Sequence, residues 1–220
     1  MRYINFHTHL HSLIDDTVEV KSLSTTDIAQ IEADKLYTVG IHPWYAHRGN
    51  IEEQLSILKT ISLKPNVIGI GEIGLDKLRG PALDVQKRVL AEQLVIAQAV
   101  NKPVIIHCVK AWDELVRMKK GFDTGTLQWA IHGFRGNARQ ALQLVKLGFY
   151  LSFGHHILDS QSKALESLEA IPLNRLFLET DDSDATIADL YNHAAQRLNK
   201  TPDDFARIIE ANFNDFFNRQ

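Results

Sequence analysis

The sequence predicts an α/β fold, a compact (β/α)8 TIM barrel with a reduced helix layer near the N-terminus, and three observations lead there. Eight short β-type segments recur along the 220 residues. Amphipathic stretches separate most of them. Histidines and carboxylates fall repeatedly at the C-terminal ends of those segments, which a barrel collects on the rim where its active site is built.

The β-type segments, in order, are "YINFH" (3–7), "TVEVKSL" (17–23), "LYTVGI" (36–41), "NVIGIGEI" (66–73), "PVIIH" (103–107), "LQWAIH" (127–132), "FYLSFG" (149–154) and "RLFLET" (175–180). Several are continuously apolar rather than alternating, the pattern of parallel strands covered on both faces. In the first, alternation puts Asn5, His7 and His9 on one face and Ile4, Phe6 and Thr8 on the other. His11 either continues that row or belongs to the following turn.

Helices are predicted over 50–61, with Asn50 as cap and Glu52 and Glu53 in the first turn, and over 83–100, where Val85, Val89, Ile96 and Val100 recur among polar residues. A shorter helix is predicted over 112–119. The next, over 137–147, opens at Asn137 and stops at Gly148. Further helices are expected over 160–170, 187–198 and 202–217, the last with Thr201 as cap, Pro202 at its first position and aromatic residues to pack on the barrel. The first two strands lie too close in sequence for an intervening helix, and residues 24–33 allow only a short one. An open doubly wound sheet is the competing fold.

Composition narrows the function. A net charge of -3 without a basic block gives no nonspecific grip on a nucleic-acid backbone. No apolar run reaches membrane-spanning length, and "MRYINFHTH" has no apolar signal region, so a cytoplasmic protein without an obligate protein partner is expected. The single cysteine, Cys108, excludes an internal disulfide framework. No linker or repeat divides residues 1–220, which read as one domain.

The polar residues then point to a metal site. His7 and His9 close the first segment, Glu72 the fourth, His107 the fifth and His132 the sixth, and Asp181 follows the eighth. Glu72 lies inside an apolar run, where an unpaired carboxylate costs several kcal/mol, so it must be paired or bind a metal. Nitrogen and oxygen donors together suit zinc, manganese or similar divalent ions. Six such donors exceed what one structural ion needs and favour a two-metal catalytic site.

These segments resemble the TatD family of metal-dependent hydrolases, within the amidohydrolase superfamily. "NFHTHL", "VGIHPW", "GEIGLD", "PVIIH", "HGF" and "ETD" follow the family's order nearly end to end, with Gln86 and Gln93 placed as in its following helix. The resemblance implies a nuclease or phosphodiesterase with two divalent ions (Zn²⁺, Mn²⁺ or Mg²⁺). His7 and His9 would hold one ion, His107 and His132 the other, Glu72 would bridge them, and Asp181 would bind the first ion and act as general base. DNA or a small phosphodiester is the expected substrate. The rim residues His42, Arg79, Lys110, Arg135 and His156 are candidate substrate contacts.

Three departures stand against that pattern. Asn5 replaces an aspartate, Val109 replaces an arginine, and "TDDSD" lacks a proline while gaining acid. An amidohydrolase cleaving a C–N bond with the same ions is the alternative activity, and a noncatalytic barrel a further one. No G-x-G-x-x-G follows an early strand, which disfavours a nicotinamide enzyme.

Overall fold

A computed structural model describes residues 2–10, 17–122 and 127–218. His11 lies outside the described residues. The strands are β1 (Tyr3–Thr8), β2 (Thr17–Ser24), β3 (Leu36–Gly40), β4 (Val67–Asp76), β5 (Val104–Val109), β6 (Trp129–Ile131), β7 (Phe149–Phe153) and β8 (Leu176–Leu178). They follow chain order in one 8-stranded sheet. A parallel bridge between Thr8 and Asp181 joins the chain after β8 to the end of β1. Chain-ordered parallel strands joined first to last are the (β/α)8 connectivity expected from the sequence.

The helices are α1 (Ile51–Ile61), α2 (Leu83–Val100), α3 (Trp112–Phe122), α4 (Ala138–Lys146), α5 (Lys163–Ala170), α6 (Ile187–Arg197) and α7 (Pro202–Phe217). Asn50, Asn137 and Thr201 cap α1, α4 and α7 by accepting from the backbone amides of Glu53, Gln140 and Asp204. Gly148 takes the left-handed conformation (φ 85°) just past α4. Between β2 and β3 only a 3-10 turn forms, Ile28–Gln30, in keeping with a thin helix layer there. Helix α5 starts later than the sequence suggests, because Ser162 rather than an earlier residue accepts from the Leu165 amide.

Contacts group the chain into two compact units, Met1–Lys21 with Ala130–Gln220, and Ser22–Trp129. In the first, the core is aromatic. Phe6 stacks on Phe177 with ring centroids 4.0 Å apart, and Phe216 of α7 meets Phe6, Phe177 and Tyr150 edge-on. Phe205, Phe213 and Phe217 are also buried, so the aromatic face of α7 is spent on the core. In the second unit Ile41, Ala46, Leu55 and Val89 pack together, with Ile51 and Ile96 against them. There the Lys102 ammonium donates to the carbonyls of Ser62, Lys64 and Val67, satisfying the chain between α1 and β4.

Helix α2 also sets two strand ends in place. Gln93 accepts from the Ile41 amide (2.7 Å) and donates to its carbonyl (3.1 Å), while Gln86 does the same for Asp76 at 2.7 and 2.8 Å. Two buried amides thus fix the backbone beside His42 and at the end of β4. A buried backbone group left without a partner would cost on the order of 1–3 kcal/mol, so these clamps are strongly specified.

Candidate metal centre

In the first unit, β1 ends in an irregularity. Its register against β2 shifts between Asn5 and Thr8, which breaks strict alternation. Thr8, expected opposite Asn5, instead shares a partner with it. Asn5 donates to the Thr180 hydroxyl (2.8 Å) and accepts from the Thr180 amide (2.9 Å), and that hydroxyl donates to Thr8 Oγ1 at 3.1 Å. His9 falls just past the strand and is exposed, whereas His7 is fully buried.

The same irregularity brings both imidazoles to one carboxylate. His7 Nε2 and His9 Nε2 lie 3.7 and 3.6 Å from Asp181 Oδ1. Asp181 sits in the left-handed region at φ 53°, a conformation aspartate tolerates better than most residues. His132, the residue after β6, lies with its ring 4.3 Å from that of His7. Its Nδ1 is 3.4 Å from Glu179 Oε1, which also accepts from the Gly133 amide at 2.5 Å. Glu179 is fully buried and stands beyond β8 rather than inside a strand. Glu179 thus stands on the Nδ1 side of the His132 ring. Donor atoms of His7, His132 and Asp181 all lie within 4.8 Å of one another.

In the second unit, β4 runs on to Asp76, farther than the sequence indicates. The Gly71–Glu72 peptide within it is cis. Gly74, at φ 151°, passes so close to the His107 carbonyl that any Cβ would collide with it. That close approach sets Glu72 against β5. Glu72 Oε1 lies 2.7 Å from His107 Nδ1 and 3.0 Å from His42 Nε2. The buried carboxylate thus has partners, as its position in an apolar run requires. His42, Glu72 and His107 also keep donor atoms within 4.8 Å of one another.

Asp76 supports this group from behind. Its Oδ2 accepts from Trp44 Nε1 at 2.6 Å and lies 3.3 Å from His107 Nε2, while Oδ1 accepts from the amides of Leu78 and Arg79. Burial pushes the Asp76 carboxyl up, but the hydrogen bonds from Trp44, Leu78 and His107 outweigh it and hold it below the ordinary carboxylate range. With Asp76 against Nε2, His107 presents Nδ1 to the cluster. Asp76 and Glu179 were not singled out as supports by the sequence. The signals available were the intact "GEIGLD" and "ETD" strings.

The remaining candidate substrate contacts follow β4, β5, β6 and β7 in turn. Arg79 follows Asp76 and lays its guanidinium over Trp44. Lys110 is exposed in a left-handed turn (φ 55°) after β5, and Arg135 is exposed after Phe134. His156 is half-buried in the 3-10 turn after β7; burial, with help from Arg135 and His155, lowers its pKa. Its Nε2 has no hydrogen-bond partner among the described residues.

Borderline imidazole nitrogen with hard carboxylate oxygen is a donor set that fits divalent zinc, manganese or related ions, so each unit carries a cluster suited to a cation. The class is thereby defined: an eight-stranded β/α protein with histidine–carboxylate clusters at its strand ends. The chain belongs to the TatD related DNase family, whose model matches residues 6–218. It is 36% identical over 154 residues to the uncharacterized metal-dependent hydrolase YabD of Bacillus subtilis, covering 68% of this chain and 60% of that one. The chain thus spans less than two thirds of that relative's length. It is also 30% identical over 194 residues to the 3'-5' ssDNA/RNA exonuclease TatD of a Rahnella strain, covering 86% of this chain and 73% of that protein. The crystal structure of YjjV, a TatD homolog from Escherichia coli, superposes with a TM-score of 0.83 at 23% identity over 99% of this chain and 98% of that one. That likeness shows the fold.

Proposed function

We propose that this chain is a metal-dependent phosphodiesterase that hydrolyses single-stranded nucleic acid, with DNA as the first candidate substrate. The carrying observation is the pair of donor clusters, His7–His132–Asp181 and His42–Glu72–His107, each with its atoms within 4.8 Å. His9, 3.6 Å from Asp181, joins the first cluster from its exposed side. The names of the TatD exonuclease relatives and the family match support the substrate class. Divalent cations in such clusters would polarise the ester and lower the pKa of water.

Within the chain, Asp181 is the residue proposed to accept the proton of the attacking water. It is partly exposed, whereas Glu72 and Glu179 are buried against imidazoles. A partly exposed carboxylate beside buried donors can meet both water and substrate. It would later return that proton to the leaving oxygen. Glu179 and Asp76 keep the rings of His132 and His107 turned to the clusters. Zinc or manganese is the proposed ion, two per chain, and the cytoplasm the proposed compartment. No helix among the described residues is long and apolar enough to cross a membrane.

The test is hydrolysis of a 5'-labelled single-stranded oligonucleotide by protein stripped with chelator and then resupplied with Zn²⁺ or Mn²⁺. Cleavage that disappears on stripping and returns with the ion is the expected result. Metal-independent cleavage, or none on any phosphodiester with the ions bound, would overturn the reading.

A further inference from the structure

We propose that Tyr45 and Arg48 form a stacking platform beside the His42–Glu72–His107 cluster, on which one base of a single-stranded nucleic acid rests while the guanidinium meets its backbone phosphate. The proposal rests on the phosphodiesterase reading and names how the substrate is gripped.

Tyr45 closes the 3-10 turn Pro43–Tyr45 directly after His42, whose Nδ1 accepts from the Trp44 amide at 3.2 Å. The Tyr45 ring lies 5.9 Å from that of His42, and His42 Nε2 is 3.0 Å from Glu72. One aromatic ring therefore neighbours a member of the donor cluster. It is 40% exposed. The guanidinium carbon of Arg48 sits 4.5 Å from the centre of the Tyr45 ring. Next to it the pairing is repeated, with Arg79 lying 4.6 Å from the Trp44 ring. Leu78, the residue before Arg79, is 70% exposed.

Arginine–aromatic pairs are what single-strand binding surfaces use. Every base offers a π-face for stacking, and the cation beside it neutralises phosphate. On a chain with a net charge of -3, these pairs set two guanidiniums near a proposed phosphodiester site.

The platform is also held rigidly. Ala46 is buried in the core with Ile41, Leu55 and Val89. The Arg48 amide donates to the Tyr45 carbonyl at 2.8 Å, and the Arg48 carbonyl accepts from Gln54 Nε2 at 2.7 Å. Gly80, at φ 85°, lets the loop carrying Arg79 press on the turn: a Cβ there would come within 2.8 Å of the Pro43 carbonyl oxygen. A fixed aromatic face loses little entropy when a base stacks on it.

The test is fluorescence anisotropy with the full chain and two phosphorothioate-linked probes of equal length and charge, one single-stranded DNA and one abasic. Tyr45→Ala is expected to weaken binding of the DNA probe roughly 5- to 100-fold and to leave the abasic probe within about twofold. Tyr45→Phe should bind both as the wild type does, and Arg48→Gln should weaken both. Equal losses on the two probes, undiminished binding by Tyr45→Ala, or a wild-type chain that binds neither probe would overturn the platform. Tight, base-dependent binding by a chain that cleaves no phosphodiester would sustain the platform and overturn the proposed activity instead.

Discussion

The Asp181 amide donates to the His7 carbonyl at 3.0 Å, and the His9 amide donates back to the Asp181 carbonyl at 3.1 Å. This backbone exchange places a carboxylate from the chain after the eighth strand beside two imidazoles at and just past the end of the first. Asp181→Asn should preserve it, since asparagine tolerates the same left-handed conformation. We expect Asp181→Asn to keep its melting temperature, to need more added ion to fill its site, and to turn over about 100-fold or more slowly once the site is filled. Full turnover with unchanged metal content would remove Asp181 as the general base.

How much of this could be read beforehand depended on distance along the chain. Apolar runs mark β1, β5 and β7 because burial on both faces leaves a local imprint, and Asn50, Asn137 and Thr201 announce helix starts through their own side chains. The extension of β4 to Asp76 was hidden, because Gly74 interrupts the apolar run and its close passage along β5 exists only in the fold. His42 stands beside a proline at a strand end and looks like a loop residue. Only the fold brings it 3.0 Å from Glu72, which lies thirty residues later in the sequence. The irregularity in β1 was equally invisible, since it is created by pairing with β2.

Asn5 shows what the departure from aspartate does structurally. It uses both ends of its amide on Thr180, donating at 2.8 Å and accepting at 2.9 Å, next to Asp181 in sequence. Asn5→Ala would leave the buried Thr180 amide without its acceptor and take one of the two bonds of the Thr180 hydroxyl, which keeps Thr8, a loss of about 2–3 kcal/mol. For a chain of this size that corresponds to a melting temperature lower by roughly 4–12 °C. A calorimetric scan that places the variant within a degree of wild type would show that Asn5 does not fasten the Thr180–Asp181 segment.

Glu72→Gln addresses the second cluster. The amide fills the same space between His42 and His107 but is a far poorer ligand for a divalent ion than a carboxylate. We expect the variant to fold and to bind fewer divalent ions per chain than wild type by elemental analysis. The His7–His132–Asp181 group, which keeps all its donors, should retain its own. A stoichiometry equal to wild type would remove Glu72 from the set of ligands.

Cys108, on β5 immediately after His107 and half-buried, invites a reading as a nucleophile, and its surroundings oppose that reading. Burial pushes its thiol up to about 12, with the charges of Asp76 and Glu114 adding to the effect and a hydrogen bond from the Ala111 amide only partly offsetting it. The thiolate is the reactive form, so at pH 8 its population falls about a thousandfold below that of a thiol at the ordinary 9.0. The sign follows: a raised acid pKa favours the protonated form, and reactivity should appear only as pH climbs toward 12 or the chain unfolds. Iodoacetamide at pH 8 should therefore label Cys108 in denaturant and scarcely at all in the native chain, as read by mass spectrometry. Native labelling as fast as that of a small-molecule thiol would mean the sulfur is open to solvent and available for chemistry at this end of β5.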